Sequence, residues 1–217
     1  MFAIIGLSNA FAQDQQTFPQ NGIEIGLSGA PSISNINTEG KATFYKNIGP
    51  INYGVRVIYH LKRFCFSTGL LQLTQGAKFT SEITSAYNPD VVIGTMDVKL
   101  RTKGIILPIN CDYTILKTNG MLLYAGLGIY NGYIYSQKQI TLSETNDIDI
   151  VNKYYCGFNA DIGFKVKLSE HFNLDFRPNF IYQLRKELPS SKYLWTDRLM
   201  SFSLDIGLYY TFKEKSN

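Results

Sequence analysis

The sequence predicts an all-β chain that closes into an eight-stranded antiparallel up-and-down barrel and crosses a membrane with its strands. Three observations carry this. Long segments alternate apolar and polar residues with a period of two, as in YCGFNADIGFKVKL (155–168), where Cys156, Phe158, Ala160, Ile162, Phe164, Val166 and Leu168 share one face. The connections between such segments alternate in length, three short and four long. The apolar faces outrun an ordinary soluble strand of about five or six residues and reach the roughly nine to eleven that cross a bilayer at a tilt.

A period of two places successive side chains on opposite sides of a sheet. The period does not say which side is wet. In a soluble barrel the apolar face is the core; in an outer-membrane barrel it meets lipid and the polar face lines the interior. Composition narrows the choice. The 217 residues fit one domain, with 15 Tyr and 14 Phe, 45% hydrophobic and only 18% charged residues, a balance suited to a β-rich protein with much aromatic surface. A net charge of +4 from scattered bases speaks against nucleic-acid binding. No apolar run approaches the roughly 18 residues of a spanning helix, so a chain that crosses a membrane does so as a closed barrel.

The eight strand-like segments are 22–29, 51–61, 64–77, 96–115, 121–137, 153–168, 172–184 and 199–212. Tight connections lie at LKR, LKTNG and SEH; long polar ones span 30–50, 78–95, 138–152 and 185–198. An outer-membrane barrel produces this asymmetry, with short turns and both termini periplasmic and the longer loops extracellular. Pro108 and Pro178 fall inside strands, where the missing N–H marks a bulge or local irregularity.

The N-terminus, MFAIIGLSNAFAQ, reads as the end of a secretory signal, with Ala10-Phe11-Ala12 as an A-x-A cleavage site, although no Lys or Arg precedes Lys41. The expected organisation is a truncated signal peptide at 1–12, a lead-in at 13–21, the barrel at 22–212 and a tail at 213–217. Cys65, Cys111 and Cys156 are odd in number and widely spaced, without C-x-x-C. They read as small apolar side chains rather than a disulfide framework or metal cluster.

With the apolar faces on lipid, the opposite faces bring Glu24, Arg56, Asp112, Asp161, Lys165, Asp175, Arg177 and Asp205 into the interior, interleaved with glycines and with Tyr124, Tyr130 and Tyr209. A lumen of eight strands is only wide enough for side chains to fill it, and buried charges of both signs must pair. The expected interior is therefore a salt-bridged plug, with a proton or small-solute path as the other reading. Tyr53, Tyr59, Tyr113, Tyr133, Tyr135, Tyr182 and Tyr210 would form interfacial girdles. Lys99, Arg101 and Lys103, at the extracellular end of the fourth segment, would meet lipopolysaccharide phosphates just above the lipid core. The alternative there is a solvated basic edge.

Catalysis is not expected. Deacylation of lipid A would need a nucleophile with a base, usually Ser with His, and only His60 and His171 exist, both beside short turns on the periplasmic side, away from the outer leaflet. No catalytic, cofactor-binding or metal residues are assigned.

LPINCDYTI, LLYAGLGIYNGYIYS, YYCGFNADIGFKVKLSEHFNLDFRPNFIYQL and the closing FSLDIGLYYTF, in this order, resemble the PorT-like outer-membrane β-barrel domain family of Bacteroidetes-type bacteria, an OmpA-like eight-stranded barrel. One departure is that the chain runs on past Phe212 as KEKSN. The resemblance implies a bacterial outer-membrane location and, as one role, an accessory of type IX protein secretion. The reading from the residues is a non-enzymatic, monomeric, porin-like barrel, structural or partner-binding through its loops or periplasmic rim. Its partners would be outer-membrane lipid, lipopolysaccharide and possible secretion-system or periplasmic proteins. A soluble lipocalin-like carrier with an apolar ligand inside is the alternative of a different class.

Overall fold

The computed structural model describes residues 18, 21–37, 46–47, 49–85, 87–88, 90–141, 144–147, 153–184 and 198–212. Ten strands follow in chain order: β1 Asn21–Asn37, β2 Lys46–Asn47, β3 Ile51–Leu61, β4 Phe64–Thr84, β5 Val92–Lys117, β6 Met121–Ile140, β7 Thr145–Asp147, β8 Tyr154–Lys167, β9 Phe172–Gln183 and β10 Arg198–Phe212. The eight long strands pair in the order β4-β3-β1-β10-β9-β8-β6-β5, and β5 returns to β4. Every pairing is antiparallel, so the sheet is a closed barrel. The short β2 and β7 decorate its edge, on β4 and β6.

The short connections have the local chemistry they need. Lys62 and Arg63 alone join β3 to β4, and Lys62 takes the left-handed conformation that so tight a turn requires, with φ 57°. Between β5 and β6, Gly120 has φ 105°, where a Cβ would be strained. The signal peptide expected at 1–12 and the tail expected at 213–217 lie outside the described residues.

Alternation along β8 now has its direction. Phe158, Ile162 and Phe164 point out of the barrel, 41, 51 and 39% exposed, while Asn159, Asp161 and Lys165 point in, at 3, 7 and 1%. The other long strands behave alike, so the outer wall is an apolar band and the interior is polar. A carrier of an apolar ligand needs the opposite arrangement, which removes the lipocalin-like alternative. Aromatic side chains mark both rims of the band. At the short-turn end Phe64 meets Tyr113 edge-on with centroids 5.4 Å apart, and Tyr210 packs on Phe172 and Phe212 at 5.5 and 5.0 Å. At the long-loop end Tyr133 meets Tyr154 at 5.2 Å and Phe158 stacks on Tyr182 at 5.2 Å.

Four strands run past their sequence limits by three residues or more. β1 continues from 29 to Asn37, β4 from 77 to Thr84, β6 from 137 to Ile140, and β5 begins at Val92 rather than 96. The connection expected at 78–95 therefore shrinks to 85–91. Near the tip of the β4–β5 hairpin both faces meet water, while along β1 the inward residues are the small Ala30, Ser32 and Ser34, so the clear apolar alternation that reveals a membrane strand is missing from these extensions. The strand prolines mark local irregularities rather than register shifts. Pro108 sits opposite Tyr130 and Pro178 opposite Leu204 without a bulge. Each leaves a gap only on its other side, toward β4 and β8. The register shifts in β5 fall at Lys103/Gly104 and Thr114/Leu116 instead.

A closed barrel of this kind holds its fold in SDS until heated. Detergent-extracted protein should run at different positions on a gel before and after boiling; identical mobility would contradict the closed sheet.

Candidate functional site

The inward positions of six strands bring charge together inside the barrel, in two layers. Nearer the short-turn end, Glu24 of β1 takes the ammonium of Lys165 from β8. The same carboxylate accepts the Asn173 amide at 2.9 Å and the Thr211 hydroxyl at 3.3 Å, and its Oε2 lies 3.2 Å from His60 Nε2. His60 Nδ1 in turn faces Cys65 Sγ at 3.1 Å, its cross-strand partner beside the Lys62–Arg63 turn. Lys165 also stands over the Tyr209 ring, 5.1 Å from its centroid.

The second layer centres on Arg177 of β9. Its guanidinium lies 3.4 Å from Asp112, 3.6 Å from Asp161 and 3.4 Å from Asp175, all buried. Its Nε donates to the Tyr124 hydroxyl at 2.8 Å, and that hydroxyl donates to Asp175 Oδ1 at 2.6 Å. The cation also lies 4.8 Å from the centroid of the Tyr124 ring. Beside this group Arg56 of β3 pairs with Asp205 of β10 at 2.7 Å. Large side chains fit because glycines face them. Tyr124 lies across Gly163 and Tyr209 across Gly26, each its cross-strand neighbour, in the space a Cβ would take.

Apolar clusters flank the charged layers. Toward the long-loop end Leu71, Leu73, Ile106, Tyr130, Ile134, Tyr155 and Ile181 pack across the lumen. At the short-turn end Phe18, 1% exposed, closes on Leu122 and Tyr124. A cavity of about 20 Å³ beside Asp205 and Asn179 leaves room for about one water. This arrangement can hold charge and polar groups in register.

All eight of the interior charges named from the sequence lie in these layers, from 0% exposure at Glu24 to 7% at Asp161 and Asp205. Sequence reasoning missed His60, Cys65, Asn110, Asn173 and Thr211 as their neighbours. Strand parity holds the signal for His60, which shares a face with Asn52, Arg56 and Ile58 on β3. Nothing in the sequence singles out Phe18. His60 lies against Glu24 and Cys65, and His171 stacks on Tyr210 at 5.4 Å. Cys111 and Cys156 lie on the outer face, Cys65 inside.

Lys99, Arg101 and Lys103 lie apart from these layers, half-buried on the outer face of β5 toward the long-loop end. They line a groove of about 470 Å³ with Tyr53, Gln72 and Thr74.

Removing the shared cation tests how much these layers hold. Arg177→Met leaves Asp112, Asp161 and Asp175 without their common partner, and breaking a buried pair of this sort costs about 3–5 kcal/mol. Equilibrium urea unfolding in lipid or detergent should show that loss, and a change below about 1 kcal/mol would show that the carboxylates are satisfied without it.

Residues 11–180 match the family described as outer membrane protein beta-barrel domain. No curated protein matches the chain. Among solved structures, Neisserial surface protein A shares 10% identity over 88% of this chain and 97% of its own, with a TM-score of 0.51. The outer membrane protein OprG from Pseudomonas aeruginosa shares 14% over 93% and 100%, also at 0.51. The outer membrane protease OmpT from Escherichia coli shares 9% over 92% and 99% at a TM-score of 0.45, too low to carry an argument. Identities this small show likeness of fold alone. A closed sheet with an apolar outer wall is what a bacterial outer membrane demands of a barrel, and with the match over 11–180 the chain belongs to the outer membrane protein beta-barrel domain family.

Proposed function

We propose that this protein is a non-enzymatic outer-membrane barrel whose filled interior serves stability and whose long-loop end does the binding. The observation that carries this is the β4–β5 hairpin. β5 pairs with β6 only from Lys99 onward, so the stretches 79–84 and 92–98 pair with each other beyond the barrel wall. Lys78 and Thr80 brace this ribbon through Asp97, at 2.8 and 3.0 Å. Its tip carries Ile83, Tyr87, Val91, Val92 and Ile93, with Tyr87 fully exposed and Ile93 65% exposed. Grouped apolar side chains held clear of both lipid and core suit contact with another macromolecule.

The basic groove sits at the root of this hairpin. Lys103 is two residues above Ile105, which belongs to the apolar band, and Tyr53 marks the rim beside it. Three cations at that height suit the phosphates of lipopolysaccharide, with charge-assisted hydrogen bonds as the holding interaction. The test is retention of lipopolysaccharide by the purified barrel. Lys99→Glu, Arg101→Glu and Lys103→Glu together should lower it at least tenfold while the heat-dependent gel shift persists; undiminished retention would sink this reading.

A second role, as an accessory of type IX protein secretion, is supported by the PorT-like order of the segments from LPINCDYTI to FSLDIGLYYTF. Deleting the gene should then leave secreted substrates in the periplasm. An intact secretome in the deletion strain would leave only the structural and binding role.

A further inference from the structure

The interior is not electrically balanced. Among the described buried residues, five carboxylates (Glu24, Asp112, Asp161, Asp175 and Asp205) face three permanent cations (Arg56, Lys165 and Arg177), an excess of two negative charges before His60 is counted. Charge left uncompensated in a closed interior is costly and is relieved by a partner.

The geometry shows where a partner is missing. Asp112 and Asp161 each turn Oδ2 to Arg177, at 3.4 and 3.6 Å, and each keeps Oδ1 buried without a hydrogen-bond partner. Both free oxygens lean on Gly126, which pairs with Asp112 on one side and Asp161 on the other. Asp112 Oδ1 occupies the space a side chain at Gly126 would need, and Asp161 Oδ1 stands 3.1 Å from that position. Gly128 repeats the pattern between Asn110 and Asn159, whose Oδ1 atoms converge there, buried and unpartnered. Donation from Asn110 Nδ2 to Asp161 Oδ2 at 3.3 Å fixes which way the Asn110 amide faces. Four acceptor oxygens thus crowd two successive inward glycine positions, and none of the four has a hydrogen-bond partner.

We propose that Asp112, Asp161, Asn110 and Asn159, gathered over Gly126 and Gly128, form a buried site for a hard divalent cation of the Ca²⁺ class. Two carboxylates and two amide carbonyls are the oxygen ligands Ca²⁺ selects, and its coordination of about six to eight oxygens tolerates an irregular cage. Mg²⁺ demands strict octahedral geometry and keeps its waters, for which this interior has little room. Softer metals would look for sulfur or imidazole, which these four side chains do not offer. One divalent ion would also cancel the excess of two charges. Apolar clusters lie on either side of the charged layers, so the ion would enter as the barrel closes.

The experiment therefore adds the ion during refolding. Chain refolded into lipopolysaccharide-free detergent micelles with CaCl₂, then desalted, should retain about one Ca²⁺ per folded barrel and unfold at a higher urea concentration than chain refolded with chelator. Asp112→Asn with Asp161→Asn should abolish both the retention and the shift. Because that pair also removes charge from Arg177, Asn110→Ala with Asn159→Ala is the second variant; it keeps both carboxylates and should lower retention at least tenfold. A wild-type barrel that retains no Ca²⁺ and unfolds alike with or without it overturns the site. So does wild-type retention in both double variants, and so does stabilisation reproduced by mild acid alone, which would make the missing partner a proton.

Discussion

A backbone N–H or C=O in hydrocarbon finds no water to bond, so each must be satisfied within the sheet. Everything else in this protein follows from meeting that constraint with strands. An open sheet would leave two edges in lipid; the pairing of β1 with β10, from Ile23 opposite Phe212 to Asn37 opposite Arg198, removes them by joining the first strand to the last. Closure with eight strands then sets the diameter. The lumen is too narrow for a water column and just wide enough for side chains, so whatever faces inward must pack or pair with what faces it. Arg177 among three aspartates, and tyrosines laid over glycines, are solutions to that packing problem.

The same constraint separates the parts of the chain that are fixed from those that are free. Within the membrane, every inward residue has a neighbour on the next strand and every outward one meets lipid. Past the rim, neither rule applies. The β4–β5 ribbon can carry Ile83 and Tyr87 into water because its backbone is satisfied by its own partner strand rather than by the barrel. That is why the expected binding surface lies there, while the interior, enclosed by the apolar clusters around Ile106 and Phe18, has no surface to offer.

How legible each part was in the sequence follows from the same division. Strand alternation, loop asymmetry and the inward charges could be read because lipid punishes polar side chains and the lumen tolerates them, which imposes a period of two on the sequence. Beyond the rim that selection ends, and the end of β4 could not be read; the end of β1 was hidden instead by the small inward residues Ala30, Ser32 and Ser34. Polar interiors also hide their apolar members. Ile58, Leu71, Ile106 and Ile181 sit on inward faces that otherwise look polar, and only the assembled barrel shows that several of them pack across the lumen. His60 was visible as an inward residue by parity, but its contact with Glu24 depends on the register between β1 and β3, which one sequence does not state.

Register is where the interior charges act most strongly. Slipping β8 by one residue against β6 and β9 would leave the backbone ladders intact but turn Asp161 and Lys165 to lipid and Phe158, Ile162 and Phe164 to the lumen. A cation on the lipid face near the midplane costs about 2–4 kcal/mol, and the partners left inside would be buried without it. Lys165 would abandon Glu24, and Asp161 would abandon Arg177 and Asn110. The misregistered barrel is thus penalised on both faces at once. Apolar packing in the lumen could supply comparable stability in the correct register, but leucines would fit either face and would not distinguish one register from its neighbour. A charged interior does, and in a sheet whose backbone bonds are indifferent to register, that discrimination falls to the side chains.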